Sequence, residues 1–204
     1  MGRIRAQNES IILDAAEREF AEYGFKGASM MNIAKRAQLP RPNVHYYFKN
    51  KLELYNSILM DILELWNDAF NNISPEDDPA EALEGYIRAK VNYSMTHPIA
   101  SRIFANEILH GAPHLQAYLN KEFRVWLMEK AKVIESWIKQ GKMQPVDPLH
   151  LIFLIWSATQ FYADCAIQVK KALETDVVSK GYYKKVADSL CQIVITGCGL
   201  KSSV

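Results

Sequence analysis

Cysteine is scarce. The 204 residues hold three, Cys165, Cys191 and Cys198, and no two of them form a C-x-x-C pair. An odd, sparse set of thiols argues against a disulfide framework and fits a reducing compartment, so a cytoplasmic location is expected. Long apolar runs are lacking as well. The most apolar stretch, 149–163, is interrupted by Ser157, Thr159 and Gln160 and stops at Asp164, which is too short and too polar for a bilayer span of about 20 residues. The first residues hold no apolar stretch of the signal-peptide kind, so no export leader is expected. There is no internal repeat, no low-complexity tract and no convincing strand pattern. A strong excess of one charge sign is also missing: the net charge is +1, which gives no nucleic-acid signal for the molecule as a whole.

The charge is nevertheless unevenly placed. Residues 1–52 carry nine basic side chains (Arg3, Arg5, Arg18, Lys26, Lys35, Arg36, Arg41, Lys49, Lys51) against five acidic ones (Glu9, Asp14, Glu17, Glu19, Glu22), a balance of +4 that leaves −3 for the remainder. A basic end on an acidic body suits a module that meets phosphate at one end only. With 49% hydrophobic and 23% charged residues the chain has the make-up of an ordinary globular protein, long enough for one or two domains.

Apolar spacing predicts an all-α fold of about nine helices. Residues 1–7 read as a frayed basic arm. Ile12, Ala16, Phe20 and Tyr23 share one face of a helix over 10–23, which Gly24 stops. A short helix from Met30 to Ala37 follows, with Ser29 as its N-cap. After Leu39-Pro40 a second short helix runs from Arg41 to Tyr47, with Pro42 in its first turn, where a missing N–H costs little. Two short helices joined by a tight turn are the layout of a helix-turn-helix DNA reader. A long helix then starts at Asn50 without any linker. Beyond it the pattern predicts helices over 79–96, 100–109, 114–139, 147–171 and 179–196, separated by Asn71–Pro79, His97-Pro98, Gly111–Pro113 and Gly141–Pro145. The segment LIFLIW in the 147–171 helix is apolar all round, so burial on every side is expected.

The segment G-F-K-G-A-S-M-M-N-I-A-K-R-A-Q-L-P-R-P-N-V-H-Y-Y-F-K-N-K-L-E-L-Y resembles the N-terminal domain of TetR-family transcriptional regulators. The shared pattern is an Ile-Ala pair, a turn, a helix ending in an aromatic pair and Phe, then Lys-x-x-Leu. Gln38 stands where that family often has Gly, and Pro40 where it often has a capping Ser or Thr. The strings 84–90, 98–113 and 138–164 resemble the RutR-type branch, regulators of pyrimidine utilisation. The resemblance implies a helix-turn-helix domain over 1–52 and an all-helical ligand-binding and dimerisation domain over 53–204. It also implies a repressor released by a small molecule, such as a pyrimidine base or a related heterocycle.

Arg41, Asn43, His45 and Tyr47 fall on the segment that would enter a major groove. Arg41 can donate to guanine and Asn43 can pair with adenine. Tyr47, Lys51 and the Ser29 hydroxyl with its helix N-terminus match family positions that take phosphates. Tyr46 and Phe48 are expected in the core beneath the reader. One reader covers few base pairs, so a homodimer on a palindrome is expected, joined through the apolar last two helices.

Trp156, Gln160 and Asp164 lie at i, i+4, i+8 on one helix face. They read either as an interhelical network or as the floor of a pocket. In the pocket, Gln160 would pair with an N–H/C=O edge and Trp156 would offer a stacking face. Trp66 and Phe70 form either the opposing wall or plain core. Arg88, Lys90, Asn106 and His110 are further candidates. His110 and His114 are separated by Gly111 and Pro113, so no metal site is expected. No catalytic triad or carboxylate pair stands out, and no cofactor is expected, so the chain does not read as an enzyme. Two other readings remain: an all-helical carrier or enzyme with an incidental basic N-terminus, and a nonspecific nucleoid binder.

Overall fold

The computed structural model describes residues 2–201, with side chains from residue 5 onward. Among the described residues there are ten helices and no strand: α1 (Gly2–Gly27), α2 (Met30–Ala37), α3 (Arg41–Tyr47), α4 (Lys51–Asn71), α5 (Pro79–Thr96), α6 (Pro98–Leu109), α7 (116–139), α8 (Pro148–Asp164), α9 (Ala166–Ala172) and α10 (Lys180–Gly197). They sort into two compact units. The first takes residues up to Glu64 together with Ile99–His114, and the second takes Leu65–Pro98 together with the chain from Leu115 onward. The boundary expected at 52/53 treats the units as contiguous stretches, whereas here most of α4 and nearly all of α6 belong to the first.

In the first unit, the arm expected over residues 1–7 is helical from Gly2, while the side chains of residues 1–4, including Arg3, lie outside the described set. Ile12, Ala16 and Phe20 are buried as their spacing predicts. Tyr23 is half exposed instead, because Gly24 leaves the helix at φ 65° and ψ 176° directly after it. The Ser29 hydroxyl accepts from the Asn32 N–H at 3.1 Å and caps α2. Gln38 closes that helix in the left-handed conformation, φ 53° and ψ 35°, doing without the glycine that the region favours. Buried Val44 and Phe48 hold α3 from one side. Tyr46, two residues from Val44 and so about 200° round the helix, is 73% exposed. That corrects the expectation that Tyr46 lies in the core, while Phe48 is where it was expected. Asn50 caps α4 by accepting from the Glu53 N–H at 2.9 Å, and Glu53 accepts in turn from the Lys49 N–H at 3.0 Å.

One acid fixes the reader's frame. Glu19 on α1 is 1% exposed and its carboxylate accepts from Asn32 Nδ2 at 2.9 Å and from Arg36 Nε at 2.8 Å, both on α2. A buried carboxylate is tolerable only with such charge-assisted partners.

In the second unit, α5 packs against α8 and α10, and α8 also against α7, around Leu83, Ile87, Ile134, Trp137, Ile152, Ile155 and Ile195. Asp78, Asp147 and Ser179 cap α5, α8 and α10 through their side chains. Three expectations need correction. The helix expected from 114 starts at Gln116 and carries a π-helical segment, Leu119–Phe123, which adds a residue to one turn and shifts the face that follows. The helix expected to reach 171 breaks at Cys165 (φ −105°, ψ 29°). Ala163 and Val169 are both buried, and an unbroken helix would set them about 120° apart, so the break lets both face inward. Finally, α8 is not buried on every side within the single chain: Phe153, Leu154 and Phe161 are 44%, 52% and 45% exposed.

Candidate functional site

The residues expected to meet DNA lie in the first unit. Along α3, Arg41, Asn43 and Tyr46 are exposed and His45 and Tyr47 are half-buried. Arg41 Nε donates to His45 Nε2 at 3.4 Å, while His45 Nδ1 lies 3.2 Å from the Lys49 carbonyl. This pairing is satisfied by the neutral imidazole with its proton on Nδ1, and it steadies the long Arg41 side chain. The Tyr47 hydroxyl accepts from Asn8 Nδ2 at 3.3 Å, tying α3 to α1. Lys51 donates to the Ala28 carbonyl at 2.8 Å and the Lys26 carbonyl at 3.4 Å, and its ammonium sits 4.7 Å from the Phe25 ring centre. Lys51 therefore bridges the end of α1 to the Ser29 cap, which brings Lys51, Ser29 and the α2 N-terminus close together. Sequence reasoning missed Tyr46 on this face. Three aromatics in a row, Tyr46-Tyr47-Phe48, hide which one points outward.

The five candidate ligand residues lie in the second unit, and Tyr86 and Lys90 of α5 tie four of them together. Phe70 stacks on Tyr86 at 4.2 Å between ring centres, and Trp156 Nε1 donates to the Tyr86 hydroxyl at 2.5 Å. Trp126 lies parallel to Trp156 at 6.3 Å. One turn further along α5, the buried Lys90 ammonium sits 4.6 Å from the centre of the Trp66 ring. Burial lowers its pKa from 10.5 to about 7, with the Asp164 charge acting in the opposite direction. Tyr86 and Lys90 thus link Phe70 with Trp156 and Trp66 with Asp164. Gln160 is half-buried on the turn of α8 between Trp156 and Asp164. Tyr86 was missed from sequence, although its i, i+4 spacing from Lys90 on the 84–90 string was a usable sign. Arg88 is committed elsewhere, to Glu84 at 2.8 Å and Asp188 at 2.7 Å. Asn106 and His110 lie apart from this group, in the first unit, beside a cavity of about 450 Å³ that none of the five ligand candidates lines.

A two-helix reader with an exposed basic and aromatic face, carried on an all-helical chain, defines a helix-turn-helix DNA-binding regulator. Residues 12–58 match the model for bacterial regulatory proteins of the tetR family, and residues 59–201 match the model for the YcdC-like protein C-terminal region. The chain belongs to the TetR family of transcriptional regulators, which are DNA-binding proteins and not enzymes.

The chain is 35% identical to the HTH-type transcriptional regulator RutR of Escherichia coli (strain K12) over 195 residues, covering 96% of this chain and 92% of the relative. Its fold is shared with a TetR-like transcriptional regulator from Rhodococcus sp. RHA1 (TM-score 0.68, 20% identity, 95% of this chain and 97% of that one). It is shared too with AibR in complex with isovaleryl coenzyme A and operator DNA (TM-score 0.68, 18% identity, 91% and 97%). No helix among the described residues is long and apolar enough to cross a membrane.

Proposed function

We propose that the chain acts in the cytoplasm as a homodimeric repressor that binds a palindromic operator and releases it on binding a small heterocycle of the pyrimidine-base kind. The observation that carries the DNA half is the face of α3, where Arg41, Asn43 and Tyr46 are exposed and His45 engages Arg41 from the same helix. Arg41 and Asn43 read base edges, with His45 holding Arg41 in place. Ser29, Tyr47 and Lys51 take phosphates. The dimer half rests on the apolar groups left open on α8 and α10: Phe153, Leu154, Phe161 and Ile193.

For the effector, Trp156 and Phe70 supply aromatic faces, Gln160 reads an adjacent N–H and C=O, and Lys90 donates to a carbonyl oxygen beside Trp66 and Asp164. The likeness to RutR supports this ligand class. α4 carries Lys51 near its start and Trp66 and Phe70 near its end on one helix, so a shift at the aromatic end reaches the phosphate contact. Binding of DNA and ligand is then reciprocally coupled.

The test is a gel-shift titration on the DNA upstream of the protein's own gene, with and without uracil, thymine and related heterocycles. Arg41→Ala should weaken specific binding about 10–100-fold with the fold retained. Release by none of the heterocycles would sink the pyrimidine reading alone, whereas unchanged binding by Arg41→Ala would sink the α3 assignment. Equal affinity for random DNA would expose a nonspecific binder, since a regulator prefers its site by roughly 10³-fold or more.

A further inference from the structure

The cavity of about 450 Å³ in the first unit is set by two backbone breaks. Gly24, at φ 65°, ends the long part of α1, and Phe25 after it meets Tyr55 on α4 and His114 beyond α6. After α6, Gly111 and Ala112 take φ 86° and 52°. The left-handed conformation is costly for alanine, and residues held in it gather at functional sites. Here it is held by the Ala112 N–H donating to the Glu107 carbonyl at 2.8 Å and the His114 N–H donating to the Glu107 carboxylate at 2.7 Å.

Glu107 is buried, 4% exposed. It also accepts from the Tyr55 hydroxyl at 3.1 Å and lies 3.1 Å from His114 Nδ1. Burial and the neighbouring carboxylate push the Tyr55 phenol well above its ordinary range, so it stays a donor. Three rings meet beside it: Phe25 to His114 at 4.3 Å, Phe25 to Tyr55 at 5.0 Å and Tyr55 to His114 at 5.1 Å. Two cations border the cavity: Lys26 at its exposed rim, where water screens it, and Lys51, whose ammonium is held by the Lys26 and Ala28 carbonyls 4.7 Å from the Phe25 ring centre and which does not itself line the cavity. The cavity joins aromatic walls to one deeply set carboxylate, whose oxygens are shared with Tyr55 and His114 and which is the only acid among its lining residues.

We infer that the first unit holds a second small-molecule site, built for a flat organic cation, in which Phe25, Tyr55 and His114 face the ring and Glu107 meets an ammonium or amidinium edge. Aromatic faces and a buried carboxylate both favour such a cation, and the volume lies within the range of ligand sites. The site is separate from the effector site proposed around Lys90 and does not depend on it. Its occupant would touch the Phe25 ring that carries Lys51, so it would act on the phosphate contact within the same unit.

Isothermal titration of the full chain with benzamidine, and with benzyl alcohol and benzoate as neutral and anionic probes of similar shape, tests this. Benzamidinium should bind once per protomer and at least tenfold more tightly than either control. Glu107→Gln should erase that preference. Asn106→Trp, which puts bulk at the exposed rim, should block binding without touching the buried cluster, and it decides the matter where Glu107→Gln fails to fold. Equal binding of the three probes, a preference for benzoate, or benzamidinium binding untouched by Asn106→Trp would each overturn the inference.

Discussion

Lys90→Met should stabilise the protein at pH 6 and lose that advantage as the pH climbs. Lys90 is 3% exposed, and burial lowers its pKa from 10.5 to about 7 against the opposing pull of Asp164. Below pH 7 the lysine is charged in both folded and unfolded chains, and the full cost of burying the charge weighs on the fold. Between pH 7 and 10.5 the unfolded chain binds a proton that the folded chain lacks, so wild-type stability rises with pH. A shift of this size amounts to on the order of 5 kcal/mol across the whole window, of which about 3 kcal/mol falls between pH 6 and pH 9. Methionine fills similar volume and does not titrate. The stability difference between variant and wild type should therefore shrink by about 3 kcal/mol from pH 6 to pH 9. Urea denaturation followed by tryptophan fluorescence, at matched protomer concentration, reads it directly. A difference that stays constant with pH, or a variant less stable at pH 6, would refute the argument. The same linkage has a functional side: an effector oxygen placed on Lys90 favours its charged form, so effector binding near pH 8 should take up protons, measurable by titration in buffers of different ionisation heat.

Arg36→Ala removes one of the two partners of the buried Glu19 carboxylate, leaving Asn32, and should lower the urea midpoint; an unchanged midpoint would show that water replaces the guanidinium. Tyr46→Ala removes an exposed ring and should leave stability within about 0.5 kcal/mol, while weakening operator binding by about 1 kcal/mol; unchanged affinity would return Tyr46 to the solvent. Leu154→Asp places a charge on the open face of α8 and should convert the proposed dimer to monomer in sedimentation at micromolar concentration, whereas an undisturbed dimer would move the interface elsewhere.

What could be read from the sequence follows from where the physics is local. The bounds of α2 and α3 are set by Ser29, Leu39-Pro40 and Pro42, whose capping and φ restrictions act within a few residues. The family pattern sits on the same segment. Tertiary choices were not legible in this way. Glu19 and Lys90 are charged residues on amphipathic helices, where the usual placement is outward, and only their cross-helix partners explain their burial. The break at Cys165 has no glycine or proline to announce it, and the π-helical turn at 119–123 has no compositional sign. An all-apolar segment such as LIFLIW does not say whether its faces meet the core or another chain, so Phe153 and Leu154 were expected inside. Of the ligand candidates, spacing placed Trp156, Gln160 and Asp164 on one helix face. Their link to Phe70 and Trp66 through Tyr86 and Lys90 needed the packing of α5.

α3 has seven residues, no side-chain N-cap and no acid in its first turn, so its own hydrogen bonds cannot keep it folded alone. Its shape is borrowed from neighbours: Val44 and Phe48 beneath it, Tyr47 on Asn8, and α2 locked to α1 through Glu19. Discrimination among operators is then partly a matter of stiffness. On the proposed reading, loosening the Glu19 lock between α1 and α2 would let α3 settle onto imperfect sites, broadening the set of operators bound without altering any side chain on its exposed face. A lineage carrying this reader could widen or narrow its regulon from inside the fold.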